Sequence, residues 1–290
     1  MSTFENNIKS IYGNQGRIWL ESLPKTVLGL SQKYELSKLV PVDNLSYNYV
    51  LSGVQGNCSI ILKLGLDNAG LKQEHAALKA FSKFGAPKVL AEEDGMILLE
   101  QVLPGTSLKS YFPKNDDEAT HIACDVIKLL HQAPAPKSSN FPYVNNFFET
   151  LYKNHNIPTQ YLNKARVTFD QLMQTSNKQF LLHGDLHQDN ILKNGNSWLV
   201  IDPKGIIGEP AYEIATFICN PIPEMLNTNR ANDLIKNRIA TFAKLLDLPE
   251  IRIINWCFVK VVLCWIWNIE DNLNTDSFEK LSAFFDGLAS

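Results

Sequence analysis

The stretch His183-Gly184-Asp185-Leu186-His187-Gln188-Asp189-Asn190, followed by Ile201-Asp202-Pro203-Lys204-Gly205, decides how this chain of 290 residues is read. Gln179 to Leu182 enters it as a short extended run and Ile191 to Lys193 leaves it. Asn194-Gly195-Asn196 then signals a turn before the apolar run Trp198 to Ile201. Strand, loop, strand, turn and strand in that order return Asp202, at the end of a buried strand, to the side of Asn190. Two oxygen-bearing side chains distant in sequence converge, and Asp185 lies on the loop that joins them.

Such a set suits magnesium, which is usually held by one or two carboxylates together with substrate phosphates and waters. An Asp, an Asn five positions later and a second Asp at a turn is also the order found in the H-R-D-L-x-x-x-N and D-F-G segments that carry phosphoryl transfer. The chemistry needs positioning and charge neutralisation more than covalent help, because charge spreads over the phosphate oxygens in the transition state. The expectation is that Asp185 orients or deprotonates an accepting hydroxyl, that Asn190 and Asp202 hold Mg2+, and that ATP or GTP is the donor. His183 and His187 stand four apart, as in H-E-x-x-H zinc sites, but Gly184 occupies the place of the Glu. A polar loop with accidental spacing is the remaining alternative, and the arrival of Asp202 at the right distance speaks against it.

Upstream, Leu36 to Val42, Tyr47 to Val54 and Cys58 to Leu64 read as three strands joined by polar turns at Asp43-Asn44 and Gly53 to Asn57. Alternation in the third places Ile60, Leu62 and Leu64 on one face and Ile61 with Lys63 on the other. A lysine in an apolar strand suits nucleotide phosphates when a Glu from the next helix pairs with it. Glu74, in the helical pattern from Leu71 to Phe84, is that partner, with Leu71, Leu78 and Phe81 facing inward. Taken alone, an exposed edge-strand lysine and an ordinary surface Glu would be the better explanation of the pair; the downstream loop reverses that order. A hairpin, Lys88 to Glu92 and Met96 to Glu100, runs into Gln101-Val102, and the main chain from Glu100 to Val102 is the expected adenine contact.

From Thr106 the pattern is mainly helical: Asp116 to His131, Val144 to His155, Pro158 to Gln174, Glu209 to Ile218, Thr228 to Leu245, Glu250 to Glu270 and Ser277 to Phe285. The fold class expected is α+β, two-lobed and protein-kinase-like, with a small antiparallel-sheet N-lobe and a large mainly helical C-lobe. Residues 1–35 would form a helical segment broken at Gly13, Gly16 and Pro24, residues 36–101 the N-lobe, and 102–290 the C-lobe. A net charge of −3 and a pI near 6.1 give no basic footprint for nucleic acid. The five Cys form no disulfide framework, and Met1 to Ser10 lacks the apolar core of a secretory signal, so the cytosol is the expected location. Ile253 to Ile269 is interrupted by Asn255, Lys260 and Asn268, and reads as a buried helix, not a membrane span.

Leu182 to Leu192, with Ile201-Asp202-Pro203-Lys204-Gly205 and Gly208-Glu209-Pro210-Ala211-Tyr212-Glu213-Ile214-Ala215, resembles the aminoglycoside phosphotransferase family. Within it the chain is most similar to the streptomycin 6-phosphotransferase and hydroxyurea kinase group, in which Asp-Pro-Lys-Gly stands for Asp-Phe-Gly. The resemblance covers about residues 36–270. It implies a small-molecule O-phosphotransferase with Asp185 as catalytic carboxylate, Asn190 and Asp202 as magnesium ligands, and Lys63 with Glu74 as phosphate clamp. Glu213 falls on an acidic position that holds the loop or the start of the next helix. The chain departs from the usual kinase pattern in lacking G-x-G-x-x-G between its first two strands, so Ser46, Asn48 and main-chain amides would have to meet phosphate there.

The acceptor is less legible. Glu270 and Asp271 at the end of the long helix oppose its dipole, and with Asp189 they would suit a polycationic aminoglycoside; a solvated helix end explains them equally well. Trp256, Trp265 and Trp267 read as core. A metabolic kinase for an amino sugar or choline-like alcohol, and a nucleotide-binding scaffold without turnover, are the alternatives.

Overall fold

The computed structural model describes residues 3–43, 45–134, 141–176 and 178–289. Asn44 of the expected Asp43-Asn44 turn lies outside them. The N-terminal helix α1 (Thr3–Lys33) is interrupted only at Gly13, where φ is 55° and ψ −124°. There the chain doubles back: Phe4 meets Trp19 at 6.1 Å, whereas fifteen residues of straight helix would separate them by roughly 22 Å. Gly16 and Pro24 do not break the helix as expected. Gly16 instead permits the close approach, since a Cβ there would lie 2.5 Å from the Ile8 carbonyl oxygen. Pro24 is exposed, so water can reach the carbonyl that its missing N–H leaves free.

Next come β1 (Leu36–Pro41), β2 (Tyr49–Gln55), β3 (Cys58–Leu64), α2 (Asn68–Phe81), β4 (Val89–Glu93) and β5 (Met96–Glu100). The strands form an antiparallel sheet in the order β1-β2-β3-β5-β4. Period-two alternation sorts its faces. Leu51, Ile60, Leu62, Leu64, Met96 and Leu98 pack with Phe4, Ile8 and Leu23 of α1, which therefore covers one side of the sheet. Ile97 and Leu99 face the other way, onto Leu71, Leu78 and Phe81 of α2. This helix begins three residues before the expected Leu71, because the Asp67 side chain accepts from Gly70 N at 2.9 Å and caps it.

The remaining chain carries β6 (Pro104–Ser107), α3 (Asp116–Leu130), α4 (Val144–Phe148), α5 (Thr159–Gln174), β7 (Phe180–Leu182), β8 (Ile191–Asn194), β9 (Ser197–Val200), β10 (Ile206–Gly208), α6 (Pro210–Cys219), α7 (Ala231–Leu246), α8 (Glu250–Glu270) and α9 (Asp276–Leu288). The helix expected over Val144 to His155 ends at Phe148 and passes into a single 3-10 turn, Glu149–Tyr152. Two short strands were not legible in the sequence. β6 pairs with β8, and β10 pairs with β7, so the loop of Asp185 is gripped by two small sheets in place of one hairpin.

Helix α8 is long and apolar enough to cross a membrane by length and composition, yet it is a core element: Trp256, Phe258, Val262 and Ile266 are fully buried. It packs against α5, α6 and α9, and Trp256 touches the rings of Phe148, Phe169 and Tyr212. Nearby, a buried ion pair ties α7 to α3. Arg238 donates through Nε to Asp116 at 2.9 Å and through Nη1 to the Ile218 carbonyl at 2.9 Å, and both residues of the pair are at most 4% exposed.

His131, at the end of α3, stacks on Phe180 with centroids 4.7 Å apart, and its Nε2 is buried without a hydrogen-bond partner among the described residues. Burial lowers its pKa from 6.5 to about 4. A depressed folded-state value means that the unfolded chain takes up protons first, so stability present above pH 6.5 is lost as the pH falls towards 4. His131→Phe keeps the stacking and removes the titration. Its stability relative to the unsubstituted protein is expected to rise by up to about 2 kcal/mol between pH 7 and pH 5, read from denaturant midpoints at each pH; a constant difference would contradict it.

Candidate active site

Lys63 projects from β3 on the face opposite the α1 core. Its Nζ lies 2.8 and 2.7 Å from the two Glu74 carboxylate oxygens on α2 and 3.0 Å from Asp202 Oδ1, a residue 139 positions away. Lys63 and Glu74 are buried, whereas the Asp202 carboxylate is about half exposed to the cleft. Burial works against the lysine cation, but Asp202 and Glu74 outweigh it and hold the Lys63 pKa above its ordinary value. Burial pushes Glu74 upward in spite of Lys63; for Asp202, Lys63 prevails over burial and the carboxyl sits below its usual range. The cluster thus presents a cation and an ionised carboxylate to the opening.

The β8–β9 hairpin places Asp202 as its sequence pattern predicts: Ile191 pairs with Val200, and Ile201 N donates to the Asn190 carbonyl at 3.0 Å. Asp202 itself adopts φ 58°, a left-handed backbone that Asp tolerates better than most residues. Asn190 Nδ2 donates to the Asp185 carbonyl at 3.0 Å, which turns its side-chain oxygen away from that contact. His183 braces the loop from within. Its Nε2–H donates to the Ile201 carbonyl at 2.8 Å and its Nδ1 accepts from Asp185 N at 3.2 Å, while burial lowers its pKa to about 4 and keeps it neutral.

Glu213 on α6 accepts from the main-chain N–H groups of His183 and Gly184, at 2.5 and 3.0 Å, so the acidic position expected to hold the loop does so. Burial pushes its pKa up to about 7, against those two N–H donors and Lys260. Gln188 anchors the far side by donating to the Phe217 and Asn220 carbonyls at 3.2 and 2.8 Å. Two glycines are required by position. Gly184 has φ 85° and a Cβ there would lie 2.6 Å from Ile206 Cδ1; Gly205 has φ 65° and would meet Phe141 at 2.7 Å and Ala77 at 3.0 Å. Helix α2 therefore rests directly on the Asp202–Gly205 turn, and Gln73 Nε2 donates across to the Lys204 carbonyl at 2.6 Å.

Three hollows run together along the cleft. The first, about 580 Å3, is lined by Val50, Ile61, Leu99, Leu192 and Ile201 and reaches Glu100 and Val102. Val102 is buried, and its main-chain N–H and C=O make no hydrogen bond among the described residues. The second, about 690 Å3, shares Ser46, Asn48, Lys63, Asp189 and Asp202 with the first and adds Asn190 and Asp185. The third, about 750 Å3, lies between the loop and helices α6 and α8, and meets the second at Asp185, Gln73 and Lys204. Asp185 stands where the second hollow opens into the third.

Over residues 37–272 the sequence matches the family described as aminoglycoside/hydroxyurea antibiotic resistance kinases. The chain belongs to this family. It is 27% identical over 236 residues to a streptomycin 3''-kinase of Klebsiella pneumoniae, covering 77% of this chain and 85% of that protein. It is 23% identical over 283 residues to a streptomycin 6-kinase of Streptomyces griseus, covering 90% and 88%. Among solved structures, the aminoglycoside phosphotransferase APH(4)-Ia shares the fold with a TM-score of 0.67 at 14% identity, over 93% of this chain and 98% of its own. The family member described here is a small-molecule phosphotransferase that acts on hydroxyl groups, with an antiparallel-sheet N-terminal part and a mainly helical remainder.

The structure brings together Lys63, Glu74, Asp185, Asn190, Asp202, Ser46, Asn48, Glu100 and Val102 along the first two hollows. It does not bring Asp189, Glu270 or Asp271 to the third. Asp189 faces the first two hollows, where Lys109 lies 3.5 Å and Ser107 Oγ 3.3 Å from its carboxylate. Glu270 accepts from Thr150 at 3.2 Å and lies 3.9 Å from His155, and Asp271 caps the exposed end of α8. Trp267, expected in the core, is only partly buried and lines the third hollow.

Lys204 and Lys260 also line that hollow and were not singled out from the sequence. For Lys260 a signal existed, a lone charge in the most apolar helix. Lys260 is 8% exposed, donates to Thr216 Oγ1, and sits over the Tyr212 ring at 4.1 Å. Burial opposes its charge, but Tyr212, Cys264, Asp185 and Glu213 together hold its pKa above lysine's ordinary value.

Proposed function

We propose that this chain transfers the γ-phosphoryl group of magnesium-bound ATP to a hydroxyl of a small molecule held in the third hollow. The observation that carries the reading is the Lys63–Asp202 contact at 3.0 Å, made beside Glu74 and within the same hollow as Asn190 and Asp185. The adenine would lie between Val50, Ile61 and Leu99 above and Leu192 and Ile201 below, with its polar edge on the free main-chain groups of Val102. Lys63, held in place by Glu74, would meet the phosphates. Residues 36–101 would act as one lobe, with 1–35 packed on its sheet, and 102–290 as the other, joined at Glu100 to Val102.

Among the described residues no cluster of three or more His, Cys, Asp or Glu is placed to hold a metal. That fits magnesium bound through a nucleotide, which needs only one or two protein oxygens. Asp202 supplies a carboxylate held ionised by Lys63, and Asn190 an amide oxygen left free by its Nδ2 contact to Asp185. When bound, magnesium would supply positive charge to offset the charge that develops on the phosphate oxygens. Asp185 would accept the hydroxyl proton as the acceptor oxygen bonds to phosphorus and the bond to the β-phosphate oxygen breaks; ADP leaves and the proton passes to solvent. Lys204, which lines both the second and third hollows, is placed to neutralise the group in transit. With five free thiols and ATP as donor, the cytosol suits this activity.

The relatives' names support an aminoglycoside acceptor, with antibiotic resistance as the role, and this accords with the expectation of a cationic substrate. The lining of the third hollow does not share that support, since Asp185 is its one carboxylate among the described residues. Transfer of label from γ-labelled ATP is the test, with streptomycin, hydroxyurea, amino alcohols and hydroxy acids as acceptors. Magnesium-dependent label on any acceptor, lost on chelation, is expected. The absence of both acceptor labelling and metal-dependent ATP hydrolysis would overturn the reading.

A further inference from the structure

Carboxylates do not mark the third hollow for a cation, since Asp185 is the one it holds among the described residues. Its amides do. Three of them line it from three different elements: Gln73 on α2, Asn220 at the end of α6 and Asn268 in the last turn of α8. Each is held by its nitrogen. Gln73 Nε2 donates to the Lys204 and Gly205 carbonyls at 2.6 and 3.2 Å, Asn220 Nδ2 to the Thr216 carbonyl at 2.9 Å, and Asn268 Nδ2 to the Cys264 carbonyl at 2.8 Å. A carbonyl can only accept, so these contacts fix which end of each amide is which. The oxygens left over, Gln73 Oε1, Asn220 Oδ1 and Asn268 Oδ1, have no hydrogen-bond partner among the described residues, and none of them is buried.

The positive groups nearby are provided for within the protein. Lys260 donates to Thr216 and sits over the Tyr212 ring, with Asp185 and Glu213 helping to hold its charge. Lys204 stands at the junction with the second hollow. The three amide oxygens are what this wall leaves unmatched. A ligand that covers them must bring donors or leave polar groups unpaired, which is costly. Charged donors form the stronger bonds, and the rings of Trp267 and Phe278 in the same wall suit a cation further.

Resting on the proposed phosphotransferase reading, we infer that Gln73, Asn220 and Asn268 are specificity-determining residues, whose amide oxygens receive the N–H groups of a guanidinium or ammonium on the acceptor while its hydroxyl lies at Asp185. Selectivity for a cation then comes from the number and direction of its N–H donors, not from a ring of acidic side chains.

Cyclohexanols that differ in one substituent test it: a guanidinium, its N-permethylated form, a hydroxymethyl group and a carboxylate. The permethylated cation keeps the charge and has no N–H to give. Each is assayed with wild-type protein and with Gln73→Met, Asn220→Leu and Asn268→Leu. Ratios of kcat/KM are compared within one protein, so that any loss of folded enzyme cancels. Wild type is expected to favour the guanidinium over each of the other compounds by about tenfold or more. At least two of the variants should cut its lead over the permethylated form to about threefold or less, through KM, whereas a purely steric objection to the methyl groups would persist in all of them. A wild-type lead short of that size over any of the compounds, or one kept by two or more variants, would overturn the inference. Metal-dependent ATP hydrolysis by the wild type in those cases would leave the phosphotransferase reading standing; its absence, with no acceptor labelled, would remove both.

Discussion

Asp185→Ala is expected to lower kcat by on the order of 10²–10⁴ while leaving the affinity for nucleotide nearly unchanged. The asymmetry follows from position. Asp185 stands where the second hollow opens into the third, at the proposed place of the accepting hydroxyl, while Lys63, Asn190 and Asp202 line the second hollow, the proposed nucleotide side. Its loop does not depend on the carboxylate for support, because Glu213, His183 and Gln188 hold the main chain around it. Steady-state rates with any accepted substrate, alongside calorimetric binding of a non-hydrolysable ATP analogue, check both halves. Activity within tenfold of wild type would assign the proton to another group, and loss of nucleotide binding would mean that the carboxylate shapes the nucleotide site.

Arg238→Met is expected to destabilise the protein by about 3–5 kcal/mol, because it strands the Asp116 carboxylate in the core. The guanidinium lies between Phe112 and Phe217, at 5.9 and 5.5 Å, and also donates to carbonyls at the end of α6. Gln188, on the Asp185 loop, donates to two carbonyls that Arg238 also meets, those of Phe217 and Asn220, so the pair supports the ground on which the loop is anchored. In thermal unfolding the midpoint should fall by on the order of 10 °C. The double variant Arg238→Met, Asp116→Leu should recover most of the loss, since replacing a buried pair by apolar groups of similar volume is often neutral. A double variant no more stable than the single one would show that the carbonyl contacts of Arg238, not its pairing, carry the effect.

Much of the geometry that brings Lys63, Asn190 and Asp202 to this cleft was legible because it is written locally. A turn at Asn194–Asn196 and a short apolar run suffice to bring Asp202 back to Asn190, and period-two alternation suffices to point Lys63 away from the α1 core. The strand from Cys58 to Leu64 and the helix from Glu250 to Glu270 have the bounds that their patterns predict. What was not legible depends on partners far along the chain. β6 and β10 are four and three residues long, too short to show a period, and exist because β8 and β7 lie beside them. Pro24 argues for a break by local rules, but the helix continues through it with the proline on the exposed side. The lining of the third hollow was not legible for a similar reason. Glu270 and Asp271 attract notice as charges at a helix end, whereas Lys260 is hidden in the middle of the same helix, and only the packing of α8 against α6 shows that it faces Asp185's hollow.

If Lys63, Asn190 and Asp202 hold one metal-bound triphosphate, as proposed, calorimetric titration of a non-hydrolysable ATP analogue with magnesium and with a chelator will show it. Wild-type affinity should fall by roughly tenfold or more, about 1.4 kcal/mol or more, when the metal is removed. Asp202→Ala should bind weakly and equally under both conditions. Wild-type binding indifferent to magnesium, or an Asp202→Ala protein that keeps the full metal response, would contradict the account.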